Sequence, residues 1–424
     1  MANRRDSKAS PGKLRKFFAM LGPGLVTGAS DDDPSGIGTY SIAGAQFGYL
    51  TLWTAWFCFP LMAAVQLMCA RLGMVSGRGL GALLRIHYGR KALWPACILL
   101  IIANVTNLGA DLGGMASATS MMTGIKAAWF TPLYGILLAA VVAAASYRWI
   151  AHVFKWLTLV LFAYMIAAFL SHPDWHAVFS NSLVPHFVNS APYRATLVAI
   201  LGTTISPFLF FWQATQEVEE DRARGRTTLL MRHGATAKEE KASRLDVITG
   251  MLFSNVIMYF IILTTGATLH LHGRTDIANV QQAAEALKPL AGSGAYLLFT
   301  LGLVGTGMLS VPVLAASTAF AVAEGAGWRS SLGYRPKQAP QFYAAFFIAL
   351  ALGIGVNYLG FGVVALLFWS AVINGVLAPP LIVMVVLLSG NHKIMGKHTA
   401  SPLLRTLGWL TAIIMAVCAA SMFV

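Results

Sequence analysis

The chain has 424 residues, of which 57% are hydrophobic and 11% charged, with a mean hydropathy of +0.67. Soluble domains carry about 25% charged residues, so the composition excludes a soluble globular protein and specifies a polytopic membrane protein. The formal net charge of +14 invites a nucleic-acid reading, which the placement of the charges removes.

Hydropathy predicts eleven spans in chain order: 17–47 (interrupted), 51–76, 92–122, 131–147, 153–171, 194–220 (interrupted), 246–270, 293–323, 340–356, 360–389 and 403–423. Several exceed the roughly 20 residues that cross the hydrocarbon, which implies tilt. With the N-terminus in the cytoplasm, Arg4, Arg5, Lys8, Lys13, Arg71, Arg85, Lys155, the stretch from Arg222 to Arg244, Arg335 and Lys393 all fall inside. Only Lys126, Arg194, Arg274 and Lys288 fall outside. The positive-inside rule therefore accounts for the excess and places the C-terminus outside. The expected location is the cell (plasma or inner) membrane, with lipid and no nucleic acid as surroundings. No obligatory protein partner is implied.

Residues 1–16 read as a cytoplasmic tail. Residues 17–424 read as one transmembrane domain, with repeat one at 17–171, repeat two at 194–389 and an extra helix at 403–423. A signal peptide is disfavoured because Pro23 and two glycines interrupt the apolar stretch Phe17 to Ala29, and aspartates stand where cleavage would fall. Cys58, Cys69, Cys97 and Cys418 sit in apolar spans without CxxC spacing and read as small hydrophobes. The mixed-charge segment Glu217 to Arg244 reads as a solvated loop, and His172, His176 and His186 read as surface residues rather than a metal site.

Within the first span, Gly28-Ala-Ser-Asp-Asp-Asp-Pro-Ser-Gly36 carries three carboxylates. Each costs roughly 2.5–3.5 kcal/mol near the bilayer centre on insertion scales, so Asp31, Asp32 and Asp33 must face water, protein or a cation. Pro34 lacks an N–H and Gly36 tolerates irregular backbone, so the helix breaks here. Span 6 echoes it in Gly202-Thr-Thr-Ile-Ser-Pro207-Phe208. The two breaks lie five spans apart, so spans 1–5 and 6–10 form inverted repeats, and paired breaks point to a transporter's substrate site.

Asp111 is the fourth intramembrane acid, and no histidine lies at mid-membrane depth. Candidate ligands are therefore oxygens: the carboxylates, the hydroxyls of Thr203, Thr204 and Ser206, the amides of Asn104, Asn107 and Asn374, and freed carbonyls. Such a set suits hard cations such as Mg²⁺, Ca²⁺ or Mn²⁺. Asp33 is the leading ligand. Asp31 and Asp32 read equally as caps of the second half-helix, and Asn374 equally as inter-helical glue. Asp111 reads as a supporting anion, a proton acceptor or the partner of a buried amide. Met115, Met121 and Met122 read as packing.

Gly22-Pro23-Gly24 followed by Asp33-Pro34-Ser35-Gly36 resembles the first helix of the Nramp metal transporters, whose pattern is GPG followed by Asp-Pro-Gly-Asn. The resemblance covers nearly the whole chain and implies an all-α LeuT-type fold with alternating access around a mid-membrane metal. It implies that Asp33 is the metal-binding aspartate, that Thr203 offers a backbone carbonyl, and that Asn374 is near the span-10 amide. Gly36 replaces the family asparagine, Ser206-Pro207-Phe208 replaces Met-Pro-His, and no arginine lies between Gln341 and Val356. These departures resemble the Nramp-related magnesium transporters.

The resulting expectation is a divalent-cation transporter, not an enzyme and without a cofactor, carrying mainly Mg²⁺ with Mn²⁺ accepted and no obligatory proton coupling. Its expected metal site is Asp33, Thr203, Ser206, Asn374, Asp32 and Gly36, supported by Asp111, Thr204 and Asn107. The alternatives are a proton-coupled Mn²⁺/Fe²⁺ Nramp transporter and a cation-coupled symporter of a small organic substrate. An intramembrane enzyme lacks a mid-membrane histidine for acid–base work.

Overall fold

The computed structural model describes residues 23–144 and 160–423. The expected tail at 1–16, the start of span 1 and the first part of span 5 lie outside the described residues.

Span 1 is two helices, α1 (Pro23–Asp31) and α2 (Pro34–Phe47). It is followed by α3 (Trp53–Ser76), α4 (Leu80–His87), α5 (Gly89–Thr123) and α6 (Ala127–Ala144), then α7 (Phe162–Leu170) and α8 (Trp175–Leu183). Span 6 is again two helices, α9 (Ala191–Thr204) and α10 (Pro207–Ala223). Then come α11 (Ala237–Thr268), α12 (Ala295–Ala326), α13 (Pro340–Val356), α14 (Val363–Ser389) and α15 (Pro402–Ser421). Among the described residues every element is helical, and the architecture is the LeuT-type fold, with the expected breaks in spans 1 and 6.

Local chemistry sets the helix starts. Proline occupies the first turn of α2, α9, α10, α13 and α15, where its missing N–H costs nothing. Ser190 caps α9 by accepting from the Tyr193 N–H, and Thr236 with Glu239 forms a capping box at α11. In the apolar window of the broken span 191–223, 94% of residues are buried, against 22% for 127–144. The broken helix is thus central, and α6 lies at the lipid-facing rim.

Two packed cores flank the breaks. One joins Leu108 and Leu112 of α5, Leu138 of α6, Leu314 and Phe320 of α12 and Phe346 of α13, and takes Phe208 and Trp212 from α10. The larger one joins α2, α3, α7, α9, α11, α14 and α15. Apolar side chains gain little from leaving lipid, so helices here associate by close packing. A Cβ on Gly28 would overlap the backbone of Gly250, and one on Gly202 would overlap Ala371 and Gly375. These contacts seat α1 on α11 and α9 on α14.

The expected solvated loop from Glu217 to Arg244 is corrected at its two ends and at Arg232. Helix α10 continues to Ala223 and α11 begins at Ala237, and Glu217, Asp221 and Arg232 are buried. Arg226 pairs with Asp221 at 2.9 Å and also with Glu239, while the Ser331 hydroxyl donates to Glu219 at 2.6 Å. The departure is confined to these residues: 223–225 and 227–231 are exposed, as the solvated reading expects.

Candidate metal centre

The α1 helix ends at Asp31, leaving its last carbonyls without intrahelical donors. Asp33 then caps α2: its Oδ1 accepts the Gly36 N–H at 2.7 Å. This corrects the reading of Asp31 and Asp32 as that cap. A cap must sit at the residue before the first helical position, and Pro34 fixes that position. Asp33 Oδ2 accepts from Asn107 Nδ2 of α5 at 2.8 Å.

Gly36 faces a ring of oxygens. A Cβ placed on it would lie 3.1 Å from Thr203 Oγ1, 3.3 Å from the Asp31 carbonyl and 3.4 Å from Asp33 Oδ1. The two helix breaks therefore meet at the glycine, and each contributes to the same small space. Thr203 Oγ1 is buried without a hydrogen-bond partner, as is Asn107 Oδ1. Ser206 turns back on its own chain, donating to the carbonyls of Gly202 at 2.9 Å and Thr203 at 2.7 Å. Its hydroxyl thus shapes the span-6 break and engages the Thr203 carbonyl.

Asp31 and Asp32 point elsewhere. The Ser254 hydroxyl of α11 lies 2.5 Å from Asp31 Oδ2 and 3.2 Å from Asp32 Oδ1. The second oxygens, Asp31 Oδ1 and Asp32 Oδ2, are buried without a partner. Among the described residues, no three acidic, imidazole or thiol side chains converge on one metal position. The aspartate run therefore divides, with Asp33 on the Gly36 side and Asp31 with Asp32 on the Ser254 side.

Asp111 accepts from the Ser35 N–H at 3.2 Å and the Ser310 hydroxyl at 2.9 Å, which ties α5 to α2 and α12. Asn104 donates to the Leu314 carbonyl and to Thr318 Oγ1, joining α5 to α12 and not entering the site. Thr204 bonds the Ile200 carbonyl and lies 3.2 Å from the Tyr40 hydroxyl, so its side chain serves the α9–α2 contact. Asn374 is buried beside the Gly202–Gly375 contact, with Nδ2 unpartnered and no hydrogen bond joining it to the acids.

Sequence reasoning missed Ser254, Ser310 and Asp246. The first two are single hydroxyls in apolar helices, and such residues carry no periodic signal. Asp246 stood at the edge of a span, yet it accepts the Gly24 N–H at 2.6 Å and so caps α1 from a neighbouring helix. Farther along α1, the Thr27 hydroxyl donates to Gln213 Oε1 of α10 at 2.6 Å.

Four buried carboxylates, Asp31, Asp32, Asp33 and Asp111, thus share the centre of the bundle, and no described cationic side chain pairs with any of them. Buried charges are ordinarily paired or bound to metal. The sequence pattern described as "Natural resistance-associated macrophage protein-like" (Nramp) matches residues 24–424. The chain belongs to the Nramp family.

Similar Nramp proteins include the "Divalent metal cation transporter MntH" of Klebsiella pneumoniae (strain 342), 28% identical over 323 residues, or 74% of each chain. The protein of the same name from Yersinia enterocolitica is 27% identical over 321 residues, covering 74% of this chain and 75% of the relative. Among solved structures, the Eremococcus coleocola manganese transporter in complex with an aromatic bis-isothiourea substituted compound superposes with TM-score 0.72 at 18% identity. That match covers 97% of this chain and 87% of the other. Mhp1, a nucleobase-cation-symport-1 family transporter, superposes with TM-score 0.58 at 14% identity over 95% of this chain and 92% of its own. Identities this low speak for the fold alone.

Proposed function

We propose that this integral membrane protein moves divalent metal cations by alternating access, as a transporter and not an enzyme. Mg²⁺ is the leading substrate, Mn²⁺ is also accepted, and proton coupling is not obligatory. Membership of the Nramp family and the names of the MntH relatives support the divalent-cation class. The observation that carries the reading is the cradle at Gly36, where Thr203 Oγ1, the Asp31 carbonyl and Asp33 Oδ1 all lie within 3.4 Å of one point. All three of these atoms are oxygens.

The preference for a hard ion follows from what is missing around the cradle. Ser206 stands where the family pattern has a thioether, Phe208 where it has an imidazole, and α13 contains no arginine. Oxygen donors alone give no advantage to softer metals. Mg²⁺ dehydrates reluctantly and keeps several waters, so the room left by Gly36 would serve a partly hydrated ion. Asp33 supplies the charge, with Asn107 holding its second oxygen.

Uptake by purified protein in proteoliposomes tests the proposal. Wild type is expected to take up both Mg²⁺ and Mn²⁺, and Asp33→Ala to abolish Mg²⁺ uptake; unchanged uptake would sink the site assignment. Mn²⁺ entry that acidifies the vesicle lumen would instead favour the second reading, a proton-coupled Mn²⁺ transporter.

A further inference from the structure

At the arginine- and lysine-rich end of the bundle, a cavity of about 380 Å³ opens between α3, α11 and the start of α15. Arg71, Lys241 and Arg244 bring three positive charges to it, and Glu240 brings one negative charge. Glu240 is already engaged, by Arg71 at 3.6 Å and by the His398 ring. Lys241 and Arg244 are exposed and form no ion pair with any described residue. Arg71 Nε is buried without a partner. The 20-residue α15 starts at this cavity, with Ser401 as its cap, and adds the positive end of its dipole.

The same seam continues as an apolar groove of about 180 Å³ between Trp56 and Phe59 of α3 and Leu252, Val256 and Tyr259 of α11. Lys241 and Leu252 are eleven residues apart on α11, as are Trp56 and Leu67 on α3. Eleven residues make just over three turns, so each pair shares a helix face, about 16 Å apart along the axis. Half the hydrocarbon core of a bilayer is about 15 Å thick. A cationic cavity at one end and an apolar slot about one leaflet deeper match the two ends of a single lipid.

We propose that the α3–α11 seam binds one anionic glycerophospholipid of the cytoplasmic leaflet. Its phosphate sits between Lys241 and Arg244, with Arg71 behind them, and one acyl chain lies against Trp56, Phe59, Leu252 and Val256. Charge complementarity selects the headgroup, because a zwitterionic lipid has less net charge to offer the two unpaired cations. The apolar slot distinguishes a lipid from a free phosphate compound. The inner face of α11 carries Ser254 and Asp246, which hold Asp31, Asp32 and α1, so the lipid buttresses the helix that positions the acids.

Native mass spectrometry of the full-length protein, titrated with phosphatidylglycerol or phosphatidylcholine, tests this. Wild type is expected to retain phosphatidylglycerol at least tenfold more tightly than phosphatidylcholine. Each basic residue contributes about fivefold to attraction for an anionic lipid, so Lys241→Gln with Arg244→Gln should weaken phosphatidylglycerol binding by about 25-fold. Val256→Trp, which fills the slot, should weaken both lipids. Should the double variant aggregate, Arg244→Gln alone, with an expected fivefold loss, carries the test. Equal retention of both lipids by wild type, or phosphatidylglycerol binding within twofold of wild type in the charge variant, would overturn the proposal. So would binding of glycerol 3-phosphate as tight as that of the lipid, since a free phosphate compound would then suffice.

Discussion

Asn107 Nδ2 donates to Asp33 Oδ2 at 2.8 Å, while the other oxygen of the same carboxylate caps α2. The aspartate is therefore held from both sides, by its own helix and by α5, before any ion arrives. Residues that orient a ligand in this way commonly govern affinity by 10–100-fold. Asn107→Ala is expected to raise the KM for Mg²⁺ uptake about tenfold or more, with a smaller effect on the maximal rate. A variant with unchanged KM would mean that the amide only packs.

Gly36→Ala tests the cradle itself. The backbone there is helical and unstrained, so the added methyl acts through space, against Thr203 Oγ1 and the Asp31 carbonyl. A contracted cradle penalises the ion that retains more water. Mg²⁺ uptake should fall at least tenfold in kcat/KM, and Mn²⁺ uptake should fall less. Parallel assays of the two metals decide it; equal losses would show that the space at Gly36 has no part in selection.

Ser254 serves two carboxylates with one hydroxyl. Removing it leaves Asp31 and Asp32 each with less hydrogen bonding in a buried setting, at a cost of about 1–3 kcal/mol per unsatisfied group. Ser254→Ala should therefore lower the thermal unfolding midpoint in detergent by several degrees, and Ser254→Thr should recover most of the loss. If divalent cations also gather on this side of the aspartate run, added Mg²⁺ would raise the midpoint of the alanine variant more than that of wild type.

Asp246 caps α1 across a helix–helix boundary. A carboxylate at a helix N-terminus gains from both the hydrogen bond and the dipole. Asp246→Ala should loosen α1 from α11, and a cysteine introduced at buried Ala29 should then react with a water-soluble thiol reagent about tenfold faster. Labelling as slow as in the Asp246 background would assign the hold on α1 to the Gly28–Gly250 contact and the Thr27–Gln213 bond alone.

The broken helices were legible in the sequence because proline acts locally: Pro34 and Pro207 forbid a continuous helix whatever surrounds them. The placement of Asp33 and Gly36 at the break was legible for a related reason, since both flank Pro34. What the sequence left open depended on contacts distant along the chain. Asn107 lies 74 positions from Asp33, Ser254 lies 223 from Asp31, and Asp246 lies 222 from Gly24. None of these pairings leaves a periodic trace. Within the largely exposed Glu217–Arg244 segment, the burial of Glu217, Asp221 and Arg232 was missed because composition reports how much charge is present and not which partners each charge meets.

The break in span 1 has a mechanical consequence. The described part of α1, Pro23–Asp31, covers about 13 Å at 1.5 Å per residue and joins α2 only through Asp32 and Asp33. A pivot of about 20° at that joint would carry the Pro23 end about 4–5 Å sideways, given the same rise. The carboxylates sit at the fulcrum and would scarcely move. The two helices could thus change their mutual angle without displacing the buried acids between them.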